Sequence, residues 1–336
     1  MLQIIGKRKI YYSISGLLLV ASVVAMALWG LRPGIDFTGG SLLEISFKNR
    51  ERPTQDEVAA ALASLEYVRG LTAQPSGDRA FILRFNDITE EQHQAVLERL
   101  RENFAPEQII DETDPNNQVE IQAGEGIILK GVKTSSGTTA QINEERFDSI
   151  GPSIGAELKT KSFYAVIIVI FAIIAYVAWA FRQVGRPVPS WKYGVIAVLA
   201  LVHDVIITCG VFAVLGHYFG IEVNSAFIAA VLTILGYSVN DTIVVFDRIR
   251  ENLHRYQGDF GETINISINE TIVRSINTSL TVMLTLLAIF FFGGESIKYF
   301  ALALIVGIFF GTYSSIFIAS PLLVTWQTLV NKKIGK

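Results

Sequence analysis

Six long apolar runs divide this chain, and each has roughly the length that a lipid bilayer demands. They cover about Tyr11–Leu31, Ser162–Phe181, Tyr193–Leu215, Ser225–Phe246, Ile276–Phe292 and Tyr299–Trp326. A helix needs about 20 apolar residues to cross ~30 Å of hydrocarbon. Outside a closed barrel, the helix is the only backbone that satisfies its own hydrogen bonds there. Charged residues make up 18% of the chain and crowd into Arg32–Lys161 and the short segments between runs, whereas soluble amphipathic helices would spread them along each element. The expected fold is therefore a polytopic α-helical membrane protein with six transmembrane helices. An α+β extracytoplasmic domain is inserted between helices 1 and 2.

The expected divisions are residues 1–31 (N-terminus and helix 1), 32–161 (the inserted domain), 162–326 (helices 2 to 6) and 327–336 (a tail). The first run follows Lys7-Arg8-Lys9, as a signal peptide would. It is longer than the usual 7–15-residue signal core, and Leu31-Arg32-Pro33-Gly34 offers no small-residue cleavage site, so it reads as a retained helix.

Lysine and arginine set the orientation. Lys7, Arg8 and Lys9 precede helix 1; Arg182, Arg186 and Lys192 lie between helices 2 and 3. Arg248, Arg250, Arg255 and Arg274 lie between helices 4 and 5, and Lys332, Lys333 and Lys336 close the chain. On the other side, Gly216–Asn224 and Gly293–Lys298 hold only Lys298. The positive-inside rule places both termini in the cytoplasm and the inserted domain outside.

Within that domain Ser41–Phe47 and Ala80–Phe85 read as strands, with weaker candidates at Val119–Gln122 and Ile127–Lys130. Thr54-Gln55-Asp56-Glu57 and Thr89-Glu90-Glu91-Gln92 carry the capping-box pattern that opens a helix, the second running to Asn103. Asp111–Asn117 and Lys133–Thr139 read as loops. The alternation predicts helices laid on one face of a small sheet.

Polar residues inside the apolar runs are the candidates for chemistry, because an ionisable group there costs at least a few kcal/mol and needs a partner or a water path. Helix 3 carries His203-Asp204, and helix 4 carries Asn240-Asp241 in its cytoplasmic third; Arg274 stands where helix 5 begins. Arg274, Thr278, Thr281 and Thr285 recur at helical spacing, as do Thr233, Tyr237, Asn240 and Asp241, and Asp204 with Thr208. Three such stripes predict a shared hydrated seam. The competing reading is that buried polar groups merely hold helices together, at about 0.6–2 kcal/mol per interhelical hydrogen bond. Hydroxyls and His203 read first in that way, and Asp241 reads first as functional; Asp204 and Arg274 stay open between the two.

Several chemistries find no foothold. Gly39-Gly40 lacks a dinucleotide-binding setting, no glycine run leads to a Walker lysine, and CxxC, HExxH and GxSxG are absent. The four histidines are scattered, and the single cysteine, Cys209, cannot form an internal disulfide. No metal or other cofactor is expected, and the chain is not expected to be an enzyme; a transmembrane gradient is the expected source of any work. A net charge of −3 argues against a nucleic-acid surface. Gly307 and Gly311 form a GxxxG pattern, expected to mark a close helix contact.

Some segments resemble a known family. Gly34-Ile35-Asp36-Phe37-Thr38-Gly39-Gly40 after helix 1, Ile150-Gly151-Pro152-Ser153-Ile154-Gly155 before helix 2, and Val202-His203-Asp204 on helix 3 are three of them. The fourth is the string from Gly236-Tyr237-Ser238-Val239-Asn240-Asp241 to Asn252 on helix 4. In this order they resemble the SecF family of protein-export membrane proteins, the SecD/SecF group of the RND superfamily. The resemblance implies an RND-type half that pairs with a SecD-like subunit beside the SecYEG channel. It implies residence in the lipid of the bacterial inner membrane and use of the proton motive force to promote translocation of preproteins. It assigns proton passage to Asp241 and Arg274, with Asn240 and Asp204 beside them. Asp36, Phe37, Gly39, Gly40, Gly236, Tyr237 and Ser238 are family-motif positions. A proton-driven RND-type exporter of small molecules and a purely structural scaffold remain the alternatives.

Overall fold

The structure is a computed structural model that describes residues 2–47, 52–77, 79–104, 118–123, 127–132, 142–181, 189–256 and 258–334. Its helices are α1 (Arg8–Trp29), α2 (Ile35–Thr38), α3 (Gln55–Leu62), α4 (Glu90–Asn103), α5 (Pro152–Ala180), α6 (Ser190–Phe219), α7 (Ser225–Arg255), α8 (Phe260–Phe292), α9 (Glu295–Ser314) and α10 (Ser320–Ile334). A π-helical turn, Ser315–Ala319, joins the last two. The strands are β1 (Gly40–Phe47), β2 (Thr72–Ser76), β3 (Ala80–Phe85), β4 (Gln118–Ala123), β5 (Ile127–Val132) and β6 (Ile142–Ile150). Two compact units result, 1–37 with 157–336, and 38–156.

The first unit is the membrane body. Six helical segments among the described residues are long and apolar enough to span a bilayer, the last made of α9, the π turn and α10 together. The helices exceed the apolar runs: α6, α7 and α8 have 30, 31 and 33 residues. At 1.5 Å per residue these are about 45–50 Å long, against ~30 Å of hydrocarbon, so polar turns project beyond the membrane. Asp259 opens α8 by accepting from the amides of Gly261 and Glu262. Gly220 closes α6 in the left-handed conformation at φ 68°, which costs glycine little. One core gathers Tyr193, Ala197, Val245, Phe246, Ile249, Ile264, Ile268 and Leu323. A second joins Phe212, Phe227, Val231, Ile234, Ala301, Leu304 and Ile308. By contrast, α5 turns Phe163, Tyr164, Ile168, Phe171 and Trp179 outward.

Small residues let helices meet. A Cβ on Gly307 would lie 2.2 Å from Ile234 Cδ1, and one on Gly311 would lie 3.0 Å from Ser238 Cβ. The GxxxG pattern is thus the contact face of α9 on α7. Gly210 of α6 meets Ser22 of α1 in the same way, with 2.6 Å between its built Cβ and the Ser22 Cα.

The second unit has an antiparallel sheet ordered β2-β3-β1-β6, and β4 pairs with β5 as a separate ribbon. Leu43, Ile45 and Phe47 of β1 and Phe81, Leu83 and Phe85 of β3 point to one face, where Val58 and Leu62 of α3 and Val96, Leu97 and Leu100 of α4 cover them. Both expected capping boxes form, with reciprocal bonds between Thr54 and Glu57 and between Thr89 and Gln92. The strands expected at 119–122 and 127–130 appear as β4 and β5, while the loops expected at 111–117 and 133–139 lie outside the described residues. Sequence pattern missed two strands. β2 contains Pro75 and little apolar alternation, a composition tolerated at a sheet edge. β6 carries four charged residues in nine and forms the opposite edge.

Candidate functional site

Helix α7 brings the motif string to the middle of the bundle. Its N-terminus is held by two carbonyl-type oxygens: Asp36 Oδ2 accepts from Ser225 N at 2.6 Å, and Asn224 Oδ1 from Phe227 N at 3.0 Å. The segment bearing Asp36 is itself fixed alongside, since Gly34 N donates to Val223 O and Val223 N to Arg32 O, both at 2.8 Å. Asp36 is therefore a cap for the helix that carries Asp241, two of whose otherwise orphaned amides are satisfied. The next motif residue works sterically: Gly39 has φ +74°, and a Cβ there would sit 2.9 Å from Pro152 Cα. Only glycine fits both demands, which ties this motif to the Ile150–Gly155 signature, as does the pairing of Gly40 with Ile150.

Two carboxylates lie buried around the end of α9. Asp241 is 4% exposed; its Oδ2 accepts from Thr312 Oγ1 at 3.0 Å and from Ser279 Oγ at 3.4 Å. Asp204 is fully buried, and its Oδ2 accepts from Ser238 Oγ at 2.6 Å and Ser314 Oγ at 2.8 Å. Its Oδ1 lies 2.9 Å from His203 Nδ1. Thr312 and Ser314 are two residues apart, so they leave the helix about 200° apart. The end of α9 therefore stands between the carboxylates and binds one with each side. Immediately after it the backbone turns π-helical, and Ser315 Oγ meets Thr242 Oγ1 at 2.8 Å. π turns are uncommon and concentrate at functional positions. When a carboxylate takes a proton it loses its charge and gains a donor, so the charge-assisted bonds it accepts from these hydroxyls weaken or rearrange. The arrangement can thus convert proton occupancy at either site into a change in how α9 is held.

Not every candidate reaches this cluster. Asp241, Asp204 and Ser238 do, and Tyr237 touches it through a 3.3 Å bond from its hydroxyl to Ser279 Oγ. Asn240, Gly236 and Thr233 fall on the exposed face of α7. Arg274, Thr278, Thr281 and Thr285 are all exposed on α8, and Arg274 forms no ion pair among the described residues. The inward face of α8 is instead Ser267, Thr271, Ser275 and Ser279, displaced one residue, or about 100°, from the expected stripe. The seam expected among the stripes of α6, α7 and α8 is therefore not what forms: the polar contacts run between α6, α7 and α9, and α8 joins them through Ser279 in place of its expected stripe. Tight packing among membrane helices favours such small residues, while the bulkier arginine stripe faces out. Sequence reading missed Ser279, Thr312 and Ser314 as partners. The four-residue spacing of Ser267 to Ser279 was equally visible, but hydroxyls alone did not distinguish the two faces.

Comparison with known proteins follows the same lines. The family described as "Protein export membrane protein SecD/SecF, C-terminal" matches residues 131–329, and the "SecD/SecF GG Motif" matches residues 30–49. The chain is 41% identical over 328 residues to the protein translocase subunit SecF of Thermobaculum terrenum, covering 97% of this chain and 94% of that one. It is 37% identical to the SecF subunit of Anaerolinea thermophila, over 98% and 95% of the two chains. Among solved structures it resembles SecDF from Thermus thermophilus, described as a translocon-associated membrane protein, with a TM-score of 0.73 and 30% identity. The match covers 97% of this chain but 39% of that longer one. Fold, motifs and relatives agree: the chain is a multi-pass membrane protein that belongs to the SecF family within the SecD/SecF group of protein-export membrane proteins.

Proposed function

We propose that this chain is an accessory subunit of the Sec protein-export machinery that works with a SecD-like subunit and uses the proton motive force to promote preprotein translocation. The observation that carries the reading is Asp241, a carboxylate 4% exposed on the family's motif helix, whose described partners are two hydroxyls and no cation. A buried, uncompensated carboxylate is expensive wherever it is charged, so its proton occupancy is bound to the arrangement around it. One charge crossing ~100 mV is worth about 2.3 kcal/mol, which matches the ~1–3 kcal/mol of an ordinary conformational coupling.

The SecD-like subunit supplies the other half. Exposed Arg274 is too costly to leave against lipid tails, and the stripe it heads faces that partner, the hydroxyls of Thr278, Thr281 and Thr285 being bonded to their own helix. Arg274 then acts across the subunit boundary rather than inside this bundle. The SecYEG channel and the preprotein are the remaining partners. Lysine and arginine bias places both termini in the cytoplasm and unit 38–156 outside, in the bacterial inner membrane. The chain itself is not an enzyme and takes no cofactor. A small-molecule exporter is disfavoured, because the curated relatives that match over nearly their whole length are translocase subunits. In vesicles holding the channel and the partner subunit, an imposed proton gradient should raise preprotein export, while a sodium gradient of equal size should not. Export indifferent to the proton gradient would refute the reading.

A further inference from the structure

Helix α8 carries a line of buried hydroxyls beyond the one that touches Asp241. Ser279 touches Asp241, and Ser275, Thr271 and Ser267 follow at steps of four residues, all buried. Each step rises about 6 Å along one face. Two hydroxyl oxygens ~6 Å apart exceed the ~5.6 Å that one water could span with two bonds of ~2.8 Å, whereas two bridging waters suit the gap. At the far end Asn252 Nδ2 donates to Ser267 Oγ at 3.0 Å and to Glu270 Oε2 at 2.7 Å. Glu270 is exposed and also meets Arg248 Nε at 2.6 Å. The line therefore runs from the buried carboxylate to solvent.

Ser275 distinguishes this line from simple packing. Thr271 donates to Ser267 O and Ser267 to Thr263 O, as buried hydroxyls on helices commonly do. Ser275 Oγ, with its residue 1% exposed, has no hydrogen-bond partner among the described residues, and neither has Asn252 Oδ1. A buried hydroxyl left unsatisfied is costly, and alanine would serve close packing equally well there. Two unpartnered polar atoms on one buried line point to small hydrogen-bonding occupants, and ordered water meets that need.

We propose that Ser279, Ser275, Thr271, Ser267 and Asn252 form the water-bridged route by which protons pass between Asp241 and the Glu270 end of the bundle. This rests on the reading of Asp241 as the proton-carrying group. A proton passes along such a line as each hydroxyl or water oxygen accepts one proton and releases its own to the next, so every O–H bond formed matches one broken; Asn252, which cannot ionise, orders the water at its end.

The test uses the chain with its SecD-like partner in vesicles, reading proton flux with an enclosed pH dye and gradient-stimulated export in parallel. The variants are Ser275→Ala, Ser275→Val and Asp241→Asn, with thermal midpoints of the purified complexes as the control for folding. Ser275→Ala should keep or raise the midpoint while lowering proton flux about three- to tenfold, the factor that a lost neutral hydrogen bond is worth. Ser275→Val, which fills the space, should abolish it. Native flux in both, with flux lost in Asp241→Asn, would show that the line is packing only and overturn the route. Native flux in Asp241→Asn would instead overturn the underlying assignment.

Discussion

Gly307→Ala places a methyl group where the contact between α7 and α9 has no room. The new Cβ would lie 2.2 Å from Ile234 Cδ1, 2.4 Å from Cγ1 and 2.8 Å from Cγ2. Carbon atoms pack at about 3.5–4.0 Å, so the helices must part by more than 1 Å or Ile234 must move. No rotamer change relieves the clash, because both γ carbons hang from the same Cβ and Ile234 is 1% exposed. Such overpacking costs about 1–3 kcal/mol. Ile234→Ala removes all three offending atoms, and alone it leaves a cavity worth about 2–5 kcal/mol. In the double variant the new methyl occupies part of that cavity. Its loss should therefore fall short of the summed single losses by roughly 1–3 kcal/mol. Unfolding midpoints in detergent, followed by tryptophan fluorescence, give the cycle. Strict additivity would mean that Gly307 and Ile234 do not touch, and the placement of α9 would be wrong.

Other consequences are separable from this one. Asp36→Ala removes the acceptor at Ser225 N and should cost about 0.5–2 kcal/mol in the same assay, while Asp36→Asn keeps an acceptor and should cost less; equal midpoints for all three would deny the cap. In the other unit, hydrogen bonds from Gln94 and His93 hold the Glu90 carboxyl below its ordinary value of 4.5. A lowered folded-state value stabilises above the unfolded value and is lost as pH falls through the folded one, so the native advantage over Glu90→Gln should be full at pH 6 and shrink below about pH 4.5; an advantage that grows with acidity would contradict this. Cysteine at Glu66 should react with an impermeant reagent added to intact cells, whereas cysteine at His254 should not. Equal labelling would reverse or abolish the proposed orientation, since both positions are exposed on the protein.

Much of this architecture is legible in the residues because its physical demands are strict. A bilayer enforces length and apolarity, so the spanning helices show themselves, and the capping boxes at Thr54 and Thr89 leave a local chemical signature. Asp204 and Asp241 stand out because burying a carboxylate in a membrane is too costly to be casual. What stays hidden depends on rotation and partners. Arg274 and Ser275 are neighbours in sequence, and nothing in the stripe rhythm says which faces the bundle; packing against α7 and α9 decides it. Charged β6 shows no alternation of its own, and only its pairing with Gly40–Phe47 marks it as a strand. The π turn leaves no pattern in Ser315–Ala319; its Ser315 Oγ meets Thr242 Oγ1, and Ser320 Oγ donates to Ser315 O across it.

On the proposed function, proton occupancy at Asp241 is what couples the gradient to export. Asp241→Asn keeps the shape and an oxygen for Thr312 and Ser279 but cannot ionise. Preprotein translocation should be measured in vesicles containing equal amounts of native or Asp241→Asn protein with the partner subunit, each with and without an imposed proton gradient. The variant should assemble normally and export at the native rate without the gradient, yet gain nothing when the gradient is applied. Full gradient stimulation in the Asp241→Asn protein would contradict this coupling.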